Sequence, residues 1–131
     1  MVEINNLTKI SVNEKFLKKA AKKVLEEEKK QKAELSIALV GQKKIRELNK
    51  KYRKKNKITD ILSFTYNNLG EIVICPHEVK RNAKKFNLTF KKELTRALIH
   101  GILHLLGYNH EKSKTAAKKM EEKQNYYLEK I

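Results

Sequence analysis

The sequence predicts an α+β fold in a single domain, with a mixed sheet of about four strands and about five helices packed on it. Short alternating segments, which are typical of strands, are separated by longer segments with helical spacing. The chain has 131 residues, of which 40% are hydrophobic, and this suits one core. One long segment is apolar on nearly every side of a helix, which predicts a helix buried in that core.

The first half of the chain alternates predicted strands with predicted helices. Asn13 or Ser11 is the N-cap expected for the first helix, and Gly41 ends the second strand. The predicted elements are strands at 2–8 and 34–40, helices at 13–30 and 43–52, and a basic loop at 53–59.

The second half begins with a predicted β-hairpin around "NNLG". Pro76 suits the first position of a helix, and Gly107 can end the long apolar helix. Strand–helix–strand steps favour some parallel pairing and leave the strand order open. The predicted elements are strands at 60–66 and 71–75 and helices at 76–86, 90–106 and 114–130.

Composition narrows the function classes. The longest nearly uncharged stretch, 97–108, is shorter than the roughly 20 residues of a bilayer-spanning helix, so no membrane span is predicted. No secretory signal is visible, and the single cysteine, Cys75, is expected in the core of a protein of the reducing cytoplasm. No glycine-rich phosphate loop is present, so no nucleotide cofactor is predicted.

The charge balance favours an anionic partner. The formal net charge is +16, which puts nucleic acid first among the partner classes. Most of the cations are lysines, however, and runs of lysine are also common on solvated faces. The chain has only four arginines, so each arginine is more informative than each lysine.

The segment "ALIHGILHLLGYNHE" holds three of the four histidines. His100 and His104 are four residues apart, so in a helix they project from one face. Gly107 can turn the chain so that His110 returns toward them. Three imidazoles suit a catalytic zinc with an open fourth position. The alternative is two hydrogen-bonded core histidines with an unrelated third, and His77 is interpreted as an ordinary residue at a helix N-terminus.

The same histidine spacing occurs in metzincin proteases. In those enzymes a glutamate after the first histidine activates the metal-bound water. Gly101 occupies that position here and cannot accept a proton. A metzincin-like metalloprotease is therefore the second candidate.

Three blocks of the sequence resemble one known family. "HGILHLLGYNHE" (100–111) resembles the His-Gly-x-Leu-His-Leu-x-Gly-Tyr-Asp-His signature of the YbeY-type endoribonucleases, the rRNA maturation factors. "LNKKYRKKNKITDILSF" (48–64) and "LGEIVIC" (69–75) are similar to two further segments of that family. The resemblance implies a zinc-dependent, single-strand-specific endoribonuclease in rRNA maturation and ribosome quality control, with the small ribosomal subunit as a partner.

The resemblance also implies roles for individual residues. His100, His104 and His110 match the family's metal ligands, for one Zn²⁺ per chain, and Arg53 matches its functionally important arginine. A guanidinium can bind a phosphate through two hydrogen bonds and stays charged.

The sequence departs from the family pattern at three positions. Asn109 and Glu71 each replace a usual aspartate, and Thr65 replaces a usual proline. An amide cannot act as a base at neutral pH, although Asn109 can still orient a neighbouring histidine. The catalytic base is then Glu71 or Glu111, unless the metal alone activates its water.

These observations give one mechanistic hypothesis and one further alternative. Arg53 neutralises charge on the phosphoryl oxygens, and nearby lysines guide the RNA strand. Phe64 and Tyr66 are interpreted as core residues, so we expect recognition of the RNA backbone more than of bases. A non-catalytic RNA-binding protein of ribosome assembly would instead use the metal only to stabilise the fold. The lysines predicted to bind RNA are Lys50, Lys51, Lys54, Lys55 and Lys57.

Overall fold

The structure is a computed structural model that describes residues 1–66 and 68–131. Four strands and five helices form over these residues in the predicted order, which confirms the α+β class. Asn67, in the predicted hairpin turn, lies outside the described residues. The strands are β1 (Val2–Asn6), β2 (Leu35–Leu39), β3 (Ile61–Tyr66) and β4 (Leu69–Ile74), and the helices are α1 (Glu14–Glu27), α2 (Gln42–Arg53), α3 (Pro76–Lys85), α4 (Phe90–Leu105) and α5 (Lys114–Lys130).

The four strands form one mixed sheet in the order β1-β2-β4-β3. β1 pairs with β2 and β2 with β4 in parallel, as the strand–helix–strand steps predict. β3 and β4 pair antiparallel, with Tyr66 opposite Leu69, so the hairpin is present. β3 therefore lies at the edge of the sheet, with one side of its backbone outside the ladder.

Several predicted boundaries shift, among them the end of the first helix, which is Glu27 instead of residue 30, and the start of the last strand, which is Leu69 instead of residue 71. Two of the shifts have clear local reasons. β1 ends at Asn6, because the Asn6 side chain accepts hydrogen bonds from the backbone and hydroxyl of Thr8 and donates to Ile10 O. These local bonds replace strand pairing after Leu7, whose N–H still donates to Leu39 O (2.9 Å). Arg53, which the sequence places in the basic loop, is instead the last residue of α2, and Lys54 ends that helix with a left-handed backbone (φ 58°).

One face of the sheet packs against α4. Ten of the sixteen residues of α4 are buried, which confirms a helix inside the core. Gly101 makes the approach close: a Cβ there would lie 2.8 Å from Ile61 Cδ1 and 3.2 Å from Ile72 Cδ1. Any larger residue at this position would meet the sheet, so the missing side chain sets the distance between α4 and strands β3 and β4.

The opposite face of the sheet is partly covered by α2. Ile45 of α2 is fully buried in a second cluster with Leu62, Val73 and Cys75. Cys75 is thus a core residue, as predicted, and burial raises the pKa of its thiol. Phe64 packs against this cluster. Tyr66 is 49% exposed at the last position of β3, next to the hairpin turn, so its interpretation as a core residue is wrong.

None of the helices formed by residues 1–66 and 68–131 has the length and apolar character needed to cross a membrane.

Replacing Gly70 with alanine should lower the free energy of unfolding by about 2–4 kcal/mol, through backbone strain and overpacking. Gly70 has φ 147°, and an added Cβ would overlap the carbonyl oxygen of Phe64. Urea denaturation followed by circular dichroism measures the change. The matched control is Gly41→Ala, where nothing lies within 4 Å, and it should cost less than about 1 kcal/mol. Equal stability of the two variants would contradict this account.

Candidate metal centre

Three histidines meet at the C-terminal end of α4. His100, His104 and His110 each offer one ring nitrogen, and these atoms all lie within 4.8 Å of one another. The ring centroids are 4.7 to 5.5 Å apart, and the Nε2 atoms of His100 and His104 are separated by 3.1 Å. The arrangement can hold one metal ion on three imidazoles.

Backbone geometry after α4 brings the third histidine back to the first two. The backbone N–H of Gly107, with φ 100°, donates to His104 O (3.1 Å), and Tyr108 N–H donates to Leu103 O (3.0 Å). Asn109 then accepts a hydrogen bond from the Glu111 N–H on its side-chain oxygen (2.9 Å). Asn109 therefore forms a local turn in the loop that holds His110.

A residue that the sequence analysis did not single out orients His100. His100 Nδ1 lies 2.8 Å from Gln124 Oε1, on α5, and Gln124 is only 8% exposed. The amide oxygen can only accept, so the imidazole donates from Nδ1 and keeps Nε2 free for a metal. A sequence signal exists, because Met120, Gln124 and Tyr127 form a buried stripe in which only the glutamine is an amide.

The site favours neutral imidazoles. Burial lowers the pKa of His100, and the charges of His110 and Arg96 add to this effect. Burial also lowers the pKa of His104, where the positive charge of Arg53 contributes. Neutral rings are the form that binds a metal.

Two of the four arginines flank the histidines. Arg53 donates from Nη2 to Ser63 O on β3 (3.1 Å), and the Ser63 hydroxyl in turn donates to Gly101 O in α4 (3.4 Å). Arg96 forms a two-point ion pair with the fully buried Glu93, at 2.7 and 2.8 Å. The charge of Arg53 acts on His104 and that of Arg96 on His100. Each guanidinium is therefore within electrostatic reach of a different histidine.

The two candidate carboxylates have different positions. Glu71 pairs with Phe64 across the hairpin, whereas its neighbour Ile72 points at Gly101 in α4. Alternation along β4 therefore puts Glu71 on the face of the sheet away from the histidines, and it is not placed to exchange a proton there. Glu111 follows His110 directly and its charge acts on His104.

The remaining candidates lie where their sequence positions suggest. His77 is exposed at the second position of α3 and is outside the histidine cluster. The five predicted RNA-binding lysines are all exposed, at the end of α2 and in the loop after it, around Arg53.

A partly buried carboxylate, that of Glu28, anchors the histidine loop to the rest of the fold. Glu28, just after α1, accepts hydrogen bonds from Tyr108 (2.9 Å), from Lys123 (3.0 Å) and from the hydroxyl of Tyr127. Burial by itself raises the pKa of Glu28, but the three donors outweigh it and the pKa lies below its usual value. Glu28 thus ties the loop, α1 and α5 together.

The family model described as Endoribonuclease YbeY matches residues 3–131. The chain belongs to this family. A YbeY endoribonuclease of Persephonella marina is 40% identical over 130 residues, which cover 92% of this chain and 85% of that one. Another, of Thermodesulfovibrio yellowstonii, is 53% identical over 94 residues, covering 66% of this chain and 59% of the relative.

This chain also has a fold similar to that of a solved structure. TM1509 from Thermotoga maritima, solved in solution, superposes with a TM-score of 0.75 at 38% identity, covering 98% of this chain and 87% of that one. The predicted family is confirmed, and so is the predicted enzyme class at the level of the family, because the curated relatives are named endoribonucleases.

Replacing Gln124 with leucine should lower the affinity for added Zn²⁺, used as a probe, by about 10–100-fold. The variant removes the acceptor that holds His100 in its metal-binding tautomer. Competition with a chromogenic chelator measures the affinity. Gln124→Glu, which keeps an acceptor, should bind at least as tightly as the wild type, and the exposed Gln42→Leu is the control. Unchanged affinity in Gln124→Leu would refute the role.

Replacing Glu28 with glutamine should lower the free energy of unfolding at neutral pH by about 1–3 kcal/mol, because charged hydrogen bonds are lost. The folded-state pKa of Glu28 lies below its unfolded value, so its stabilisation is present at neutral pH and disappears as the pH falls through the folded pKa. Urea unfolding at a series of pH values should show the gap closing in acid. The exposed Glu26→Gln should show no such gap, and a gap that persists in acid would contradict the assignment.

Proposed function

We propose that this chain is a zinc-dependent endoribonuclease that cleaves phosphodiester bonds in single-stranded RNA. Residues 1–131 act as one hydrolase domain, working in the cytoplasm on ribosomal RNA, in rRNA maturation and in quality control of the small ribosomal subunit. The observation that carries the proposal is the convergence of three imidazoles beside the exposed guanidinium of Arg53, in a chain of the YbeY family.

The donor set suits zinc. His100, His104 and His110 supply three nitrogen ligands, the usual number of protein ligands in catalytic zinc sites. Gln124 orients one of these rings and the loop tied to Glu28 holds another. A zinc ion bound there would supply Lewis-acid activation of water and of the phosphoryl oxygen.

Arg53 is the residue proposed to bind the scissile phosphate. Among the described residues it forms no ion pair, and its recorded hydrogen bond is to the neutral carbonyl of Ser63. Its full positive charge is therefore available for a phosphate, which a guanidinium binds through two N–H groups. Because charge builds on the phosphoryl oxygens in the transition state, the same contact strengthens as the bond breaks.

Proton transfer is assigned to Glu111. Its carboxylate follows His110 on the exposed side of the loop, whereas Glu71 lies across the sheet. A carboxylate at this position can accept the proton of an attacking water. Asn109 keeps the loop in shape and takes no proton.

Lysines at the end of α2 are proposed to guide the strand. Lys50, Lys51, Lys54, Lys55 and Lys57 are exposed on the segment that holds Arg53. Contacts between such lysines and RNA phosphates carry no sequence information and weaken as salt is raised.

The structure gives a reason to rank the protease second. Position 101, where a metzincin has its glutamate, faces the sheet in contact range of Ile61 and Ile72. A glutamate there would be forced between α4 and β3, away from the open side of the histidines. The non-catalytic assembly role is decided by the experiment below.

Purified protein loaded with Zn²⁺ should cleave single-stranded RNA, with little cleavage of a duplex of the same sequence and none of casein. Chelator should abolish cleavage, and Zn²⁺ should restore it. His104→Ala should keep its circular dichroism spectrum and lose cleavage. Casein hydrolysis without RNA cleavage would establish the protease instead, and RNA binding without cleavage would establish the assembly protein.

Arg53→Ala should lower kcat/KM for RNA by about 10²–10³-fold while zinc content stays the same. The matched control is Arg81→Ala, because Arg81 is exposed on α3 and pairs with Glu78 instead of facing the histidines. Equal rates in the two variants would remove Arg53 from the mechanism.

A further inference from the structure

A cavity of about 440 Å³ opens beside the histidines, between α4 and α5. Its volume lies within the range of about 300–1,000 Å³ that is typical of small-molecule sites. His100 and His110 form the wall shared with the metal centre, and Arg96, Ala117 and Asn125 are among the residues on the other sides. Whatever enters this cavity lies next to the proposed point of cleavage.

The residues that line the cavity can form hydrogen bonds but carry little net charge. Arg96 donates from Nε and Nη2 to the buried Glu93, so the pair is neutral overall, and Nη1 has no hydrogen-bond acceptor in the part of the chain that the structure describes. Asn125 supplies an amide, and Glu121 supplies a carboxylate that would repel a phosphate. Mixed donors and acceptors of this kind match a nucleobase edge or a ribose hydroxyl better than a phosphate.

Apolar contacts complete this match. Met120 is buried and lines the cavity together with Ala117. Met120 is only 2% exposed and closes the inner side of the cavity, while the small side chain of Ala117 leaves the space open. The cavity therefore has an apolar surface for the face of a base and polar groups for its edge.

The two flanking arginines divide the recognition of a nucleotide between them. Arg53 is free of carboxylate partners among the described residues and is near His104, whereas Arg96 is neutralised by Glu93 and is near His100. A strand that places its phosphate at Arg53 and across the histidines brings the adjoining nucleoside to the cavity.

We propose that this cavity is a nucleoside subsite, which holds the base and ribose next to the cleaved phosphodiester. The proposal rests on the proposed RNA substrate and adds a reason for single-strand preference. A base enters the cavity only when it is unpaired and unstacked, so a duplex is disfavoured by the energy of extruding a base.

Ala117→Leu and Ala116→Leu provide a matched test. Both alanines are partly buried on α5, but Ala117 lines the nucleoside cavity while Ala116 lines a separate pocket with Gly107 and Tyr108. The probe is a single-stranded oligoribonucleotide, and its binding to the Zn²⁺-loaded protein is measured by fluorescence anisotropy. Each protein compared, including the otherwise wild-type one, also carries Glu111→Gln, which removes the proposed proton acceptor so that the probe stays intact. Ala117→Leu should weaken binding about tenfold or more, and Ala116→Leu should stay within about twofold of the wild type.

A second variant tests the subsite independently, in case Ala117→Leu loses zinc or does not fold. Asn125 is exposed, so Asn125→Ala should fold and load zinc normally and should weaken the same binding about threefold or more through loss of a hydrogen bond. Wild-type binding in Asn125→Ala and in zinc-loaded Ala117→Leu would overturn the subsite and leave the nuclease proposal standing. Failure of the wild type to bind any oligonucleotide would overturn both.

Discussion

The close packing of α4 on the sheet is the contact on which the site depends. Because Gly101 lacks a side chain, α4 lies against β3 and β4, with Ile61 and Ile72 filling the space that a Cβ would take. The backbone of α4 is then near enough for the Ser63 hydroxyl to reach Gly101 O, while the Ser63 carbonyl binds Arg53. Gly101 thus sets the distance between α4, which carries the histidines, and β3, whose Ser63 carbonyl accepts the hydrogen bond from Arg53.

Electrostatics divide the site into groups with separate tasks. Burial lowers the pKa of His100 and of His104, which favours the neutral form that metals require, and within residues 1–66 and 68–131 no carboxylate is hydrogen-bonded to either ring. Gln124 orients the ring of His100 without adding charge to the site. Arg96 is paired with Glu93, whereas Arg53 has no carboxylate partner among the described residues. The proposed function uses this difference, with uncharged groups on the side of Arg96 and a phosphate on the side of Arg53.

Short-range patterns in the sequence predicted what depends on neighbouring residues. Period-2 and helical spacing identified every strand and helix, and the i, i+4 spacing with Gly107 predicted the meeting of the histidines. The position of Glu71 could not be predicted in this way. Ile72 and its neighbour Val73 are both buried, in clusters on opposite faces of the sheet, so alternation along β4 does not identify the face that carries α4.

The sequence by itself determined the elements, the family and the histidine cluster, because these follow from local spacing and from motifs within a few residues. Tertiary structure alone decided the strand order, the contact of Gln124 with His100 across 24 residues, the tether from Glu28 to Tyr108 across 80, and the cavity between α4 and α5. The physical reason is that such contacts depend on how helices and strands pack in three dimensions, which no local periodicity records.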